Sequence, residues 1–134
     1  MTAKTLEDAM AQNHAALDAM VKGDCSGYVG LLSDREDVTW GNSFGPFASG
    51  RVNVEATLAT AAARMPGGRA TDSDRIATYL ADTLAVVVEV EHVEMGADPS
   101  ASASAALRVT SVFPLEGDAW KLIHRHADPI TTPG

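Results

Sequence analysis

His124 and His126 stand one residue apart near the end of the chain, and alternate residues of an extended strand point the same way. Two imidazoles on one face, about 7 Å apart at a rise of roughly 3.3 Å per residue, can move protons near neutral pH. Asp128 shares their parity and could orient His126. The chemistry would be acid–base work on an enolisable or dehydratable substrate. Ser111 and Tyr28 supply hydroxyls able to steady a developing oxyanion. The alternative is structural, with both rings satisfying buried hydroxyls or carbonyls and shaping a wall. A metal would need a third ligand, His92 or Asp128, converging with the pair within roughly 2.0–2.2 Å of one ion. No spacing enforces that, so no metal is assigned.

The elements that must position these groups can be read from periodicity. Leu6, Met10, Asn13, Leu17 and Met20 recur at helical spacing, with Thr5 and Asp8 set for a capping box and Gly23 as a stop. This predicts a helix over about residues 6 to 22, and His14 on its polar side reads as solvated. Asp24 can cap a short second helix carrying Tyr28, Leu31 and Leu32. Cys25 at that helix start has no inward histidine partner and is read as incidental. Val38-Thr39-Trp40 and Phe47-Ala48 read as two short strands. Val54, Leu58, Ala61 and Met65 mark a third helix, stopped by Pro66-Gly67-Gly68. Four strands then follow, over about 73 to 81, 83 to 94, 104 to 114 and 119 to 127. Helices first and a meander afterwards indicate an α+β fold with the helices on one face of a curved, mostly antiparallel sheet.

Strand alternation sorts the side chains. A two-residue hairpin centred on Gly117-Asp118 sets Ser111 opposite His124, Val109 opposite His126 and Phe113 opposite Leu122. In the preceding strand the more apolar set is Val86, Val88, Val90 and His92. The expected pocket is therefore lined by Trp40, Phe44, Val86, Val88, His92, Val109, Ser111, Phe113, His124 and His126. The reverse face would carry Glu89, Glu91, Arg108, Thr110, Val112, Lys121, Ile123 and Arg125. Its mixture of β-branched and paired charged groups suggests a homodimer through the convex sheet face, with Arg108, Ile123 and Arg125 at the contact. A bulge of one residue would swap the faces.

Composition narrows the function classes. The 134 residues fit one domain, residues 1–134, and a formal charge of −8 repels phosphate backbones and anionic lipid, which argues against nucleic-acid and membrane partners. One cysteine, no long apolar run and no apolar leader suit a cytoplasmic protein.

The closing Trp120-Lys-Leu-Ile-His-Arg-His-Ala-Asp128, the preceding Leu107-Arg-Val-Thr-Ser-Val-Phe113 and Gly45-Pro-Phe-Ala-Ser-Gly-Arg51 make the chain resemble the SnoaL-like branch of the NTF2-like superfamily. The resemblance implies a conical α+β barrel of cystatin-like, ketosteroid-isomerase-like form, with a deep pocket, usually dimeric through the sheet. It implies no single chemistry, since the superfamily holds isomerases, cyclases, dehydratases and non-catalytic binding or association domains. The carboxylate base and tyrosine-plus-acid pair of ketosteroid isomerases are not recognisable here. The expectation is a pocket for a small hydrophobic or polycyclic molecule, with a cofactor-independent isomerase, cyclase or dehydratase as the enzymatic reading and a non-catalytic ligand-binding or dimerisation module as the alternative.

Overall fold

The computed structural model describes residues 2–42, 45–98 and 100–131. Three helices lead: α1 (Leu6–Val21), α2 (Ser26–Leu31) and α3 (Arg51–Ala63), the last entered through strands β1 (Thr39–Gly41) and β2 (Phe47–Ser49). The capping box forms as the sequence predicts, Asp8 N–H donating to Thr5 Oγ1 and Thr5 N–H to the Asp8 carboxylate. Then come β3 (Gly68–Leu80), β4 (Leu84–Met95), β5 (Ala103–Glu116), β6 (Ala119–Trp120) and β7 (His124–Pro129).

The strands make one curved, open sheet in the order β2-β1-β7-β5-β4-β3, with β6 on β5; only the β1–β7 pair is parallel. Methionines, leucines and alanines of α1 and α3 join Tyr28, Trp40, Val87 and Phe113 in the core between helices and sheet. This is the expected α+β architecture. No helix among the described residues is long and apolar enough to cross a membrane.

Two departures from the expected strands matter. β3 begins at Gly68, not near residue 73: Gly68 has φ +129, and a Cβ there would run into the Glu94 carbonyl, so the Gly67-Gly68 pair that ends a helix also starts a strand. The final strand is broken. β6 keeps the hairpin register, Glu116 facing Ala119 and Leu115 facing Trp120. By β7 the register has slipped one residue, so that Ser111 faces Arg125 and Val112 faces His124. Between them Leu122 turns its backbone to α2: its N–H donates to Leu31 O and its carbonyl accepts from Ser33 N–H, both at 2.9 Å. The segment exchanges one neighbour for another, and the extra residue reverses every side chain that follows.

Candidate functional site

Because cross-strand partners share a face, the slip places Trp40 on β1, Arg125 on β7, Ser111 on β5 and Val87 on β4 in one inward row. Arg125 is 4% exposed, whereas His124 is half-buried on the outer face and His126 is exposed. The histidine pair therefore does not enter the interior as the sequence reading had it. His126 lies over Gly41 on the outside, where a Cβ on residue 41 would sit 3.2 Å from its ring. His124 Nδ1 lies 2.7 Å from Thr39 Oγ1. Burial, with the charge of His126 nearby, holds His124 below the ordinary imidazole range.

The strand β4 is reversed as well. Ala85, Val87, Glu89, Glu91 and Val93 face inward, and Val86, Val88, Val90 and His92 face outward; His92 Nε2 approaches Asp74 at 3.4 Å. Both faces of this strand are rich in valine, so apolar content could not decide its parity, and the two glutamates are tolerated inside because Glu91 is paired with the Arg125 guanidinium and Glu89 is hydrogen-bonded with His14. Val109, Ser111 and Phe113 do face inward as expected, but Val109 packs with Leu107 and Ala127, and Phe113 belongs to the core. Phe44 lies outside the described residues. Of the three residues expected at a convex contact, Arg108 is outside and bonded to Asp128, Ile123 packs partly against the core, and Arg125 is interior.

What the interior holds is a set of charges. Arg125 donates from Nη1 and Nη2 to the two oxygens of Glu91, at 3.0 and 2.7 Å, and its guanidinium stands 5.5 Å from the Tyr28 ring centre and 5.9 Å from that of Trp40. Those rings meet edge to face at 4.9 Å. Burial alone would lower Arg125, but the Glu91 charge outweighs it and the guanidinium is held firmly protonated. Glu89 is 2% exposed, and its Oε2 lies 2.8 Å from His14 Nε2, with Ser73 Oγ 3.1 Å from the same nitrogen. The hydrogen bond to Glu89 raises His14 above its ordinary value against the opposing effect of burial. His14, read as solvated, is thus a half-buried partner of a buried carboxylate. The sequence signal for it was slight: Glu89 and Glu91 sit in a valine run, the mark of a strand buried on both faces.

Beside Arg125 a hollow of about 60 Å³ opens, walled by Leu17, Met20, Tyr28, Trp40, Val93 and Leu107 among others, with Asn42, Met65 and Met95 also lining it. The Tyr28 hydroxyl is wholly buried and has no hydrogen-bond partner among the described residues; the same holds for Ser111 Oγ, the Asn13 amide and Glu89 Oε1. Burial pushes the Tyr28 hydroxyl well above its usual range, so it remains a donor. Among the described residues no group of three His, Cys, Asp or Glu is arranged to hold a metal ion.

Comparison with known proteins agrees with this architecture. A candidate calcium/calmodulin-dependent protein kinase type II association domain from Thiobacillus denitrificans superposes with a TM-score of 0.84 at 18% identity, covering 98% of this chain and 99% of that one. A candidate dehydratase of the NTF2-like family from Streptomyces avermitilis gives 0.77 at 23%, covering 95% and 97%. A candidate ketosteroid isomerase from Parabacteroides distasonis gives 0.64 at 17%, covering 93% and 87%. At these identities the likeness is one of fold. No curated protein matches the sequence. The SnoaL-like domain family profile matches residues 9–131, and with nearly the whole chain so covered, the protein belongs to the SnoaL-like family.

Proposed function

We propose that the hollow, at about 60 Å³, takes only the oxygen-bearing end of a mainly apolar molecule whose rings lie outside it, so that a carbonyl or similar neutral oxygen is presented to Tyr28 and Arg125. The observation that carries this reading is the Tyr28 hydroxyl, a wholly buried donor without a partner among the described residues, on a side chain that walls the hollow together with Arg125. Arg125 uses two of its five N–H groups on Glu91, which leaves three for an acceptor. A neutral acceptor is favoured over an anion because Glu91 already offsets the guanidinium and Glu89 offsets a protonated His14. An added anion would be buried without a counter-charge. The thioethers of Met20, Met65 and Met95 suit a wall that adapts to a flat apolar body.

The test compares 1-tetralone with tetralin, the same ring system without the oxygen, by amide chemical-shift titration. Tetralone should bind about tenfold tighter, the scale of one good hydrogen bond made in a dry site. Tyr28→Phe should narrow that gap. Equal affinities, or no binding of either ring, would overturn the reading.

A catalytic version of this reading, cofactor-independent isomerase, cyclase or dehydratase chemistry, rests on a carboxylate and not on the outward histidines. Glu89 Oε1 is buried and unpartnered while Oε2 is held by His14; Glu89 is not among the residues walling the hollow, so it would carry a proton only once a bound ligand opens the wall between them. Loss of turnover in Glu89→Gln with ligand affinity retained would support it, and unchanged turnover would exclude it.

Self-association belongs to the outer sheet face. Val86, Val88, Val90, Thr110 and Val112 are half-buried there, and Tyr79 beside them is 64% exposed. A second copy of the chain is the occupant this apolar surface fits.

A further inference from the structure

Outside the hollow runs a groove of about 810 Å³ between the exposed side of α3 and residues 45–49, and the two cavities share Asn42, Met65 and Met95. A chain with 18 acidic residues lines this groove with none among the described residues, whose one charged lining side chain is Arg64. Of the seven arginines, Arg35, Arg51, Arg69, Arg75, Arg108 and Arg125 each pair with a carboxylate. Arg64 alone among them makes no ion pair with a described residue. Its place at the end of α3 suits a cation next to helix carbonyls, but the helix end gives no reason for an acid-free wall. Asn53, Thr57 and Thr60 line the same wall at successive turns, offering neutral polar groups that do not compete with a bound anion.

We infer that Arg64 anchors an anionic group on the outer end of the ligand, so that the molecule taken up is an apolar ring system with an oxygen acceptor at one end and a carboxylate, sulfate or sulfonate at the other. This rests on the pocket reading above and adds the ligand's charge to it. The two ends are told apart by electrostatics: the inner end is neutral because its charges are paired, and the outer end is positive because its one charge is not. The bridging methionines would lie against the apolar middle.

Two fluorescent ligands with one ring system test it: 8-anilinonaphthalene-1-sulfonate, which carries the anion, and N-phenyl-1-naphthylamine, which lacks it. The sulfonate should bind the full chain roughly fivefold tighter, between the effects of exposed and partly desolvated ion pairs, and the preference should shrink as salt is raised. Arg64→Gln should abolish the preference without changing binding of the neutral compound. Lys4→Gln, which removes an exposed cation lining neither cavity, should leave it intact. A preference unchanged in Arg64→Gln, or absent from the native chain, overturns the Arg64 inference, and tetralone binding that persists leaves the pocket reading standing. Failure of tetralone and of both fluorescent ligands overturns the two together.

Discussion

Glu91 and Arg125, on strands that are not neighbours, hold each other end to end inside the protein, with side-chain exposures of 0% and 5%. Removing one partner strands the other charge in a dry interior, an effect of about 3–5 kcal/mol. Glu91→Ala is expected to lower unfolding stability by that amount in urea titration. The double variant Glu91→Leu/Arg125→Met should recover most of it, because the pair together contributes little beyond its own desolvation. A double variant no better than the single one would mean the pair does more than neutralise itself.

Tyr28 separates stability from recognition. Its hydroxyl has no partner among the described residues, so Tyr28→Phe removes a desolvated group and keeps the ring that packs on Trp40 and under Arg125. Stability should stay within about 1 kcal/mol of the native chain or rise, as read by chemical denaturation. A larger loss would reveal a structural partner for that hydroxyl.

The two perturbed histidines pull the pH dependence in opposite directions. His14 is raised above its ordinary 6.5 by Glu89, so it binds its proton more tightly folded than unfolded. Its contribution is complete below 6.5 and fades as pH rises through the higher folded value. His124 is lowered by burial from the same 6.5, so its effect is absent at high pH and costs stability as pH falls below that value. Thermal melts across pH 5 to 9 should show His14→Gln losing its advantage mainly on the acid side. His124→Gln should gain there. Identical pH profiles in both variants would contradict this assignment.

The outer face gives the assembly prediction. Val112 is half-buried among Val86, Thr110 and His124 on that face, and a carboxylate placed there should break a contact between two copies. Val112→Asp is expected to elute as monomer in size-exclusion chromatography while the native chain elutes as dimer. An unchanged elution volume would remove the sheet-face contact.

The sequence carried the fold further than the site. Helix α1 was legible in its cap and its 3.6-residue spacing, and the order of elements followed from punctuation by glycine and proline. Trp40 and Ser111 lie on the inward face of their strands, where alternation puts them, and Tyr28 on α2 is buried in the core. His124, His126, Val86, Val88 and His92 were assigned to the wrong face for two separate reasons. On β7 the slip at residues 121–123 depends on Leu122 bonding to Leu31 and Ser33, a contact about 90 residues away in sequence that no local pattern records. On β4 a charged residue is normally the outward one, and that rule fails when the partner is a distant Arg125 or His14. The Arg64 groove needed the fold itself, since an absence of acids along a wall is invisible until the wall is built.

The slip itself has a further meaning. The inward sense of Arg125 and Ala127 on β7 goes with the number of residues that bridge Trp120 and His124, one more than the hairpin register would need. Shortening that bridge by one would favour turning the imidazoles inward and the guanidinium outward, against the cost of leaving Glu91 buried without its partner. The length of the connector between Trp120 and His124 thus shapes the chemistry of the interior as much as the side chains of β7 do.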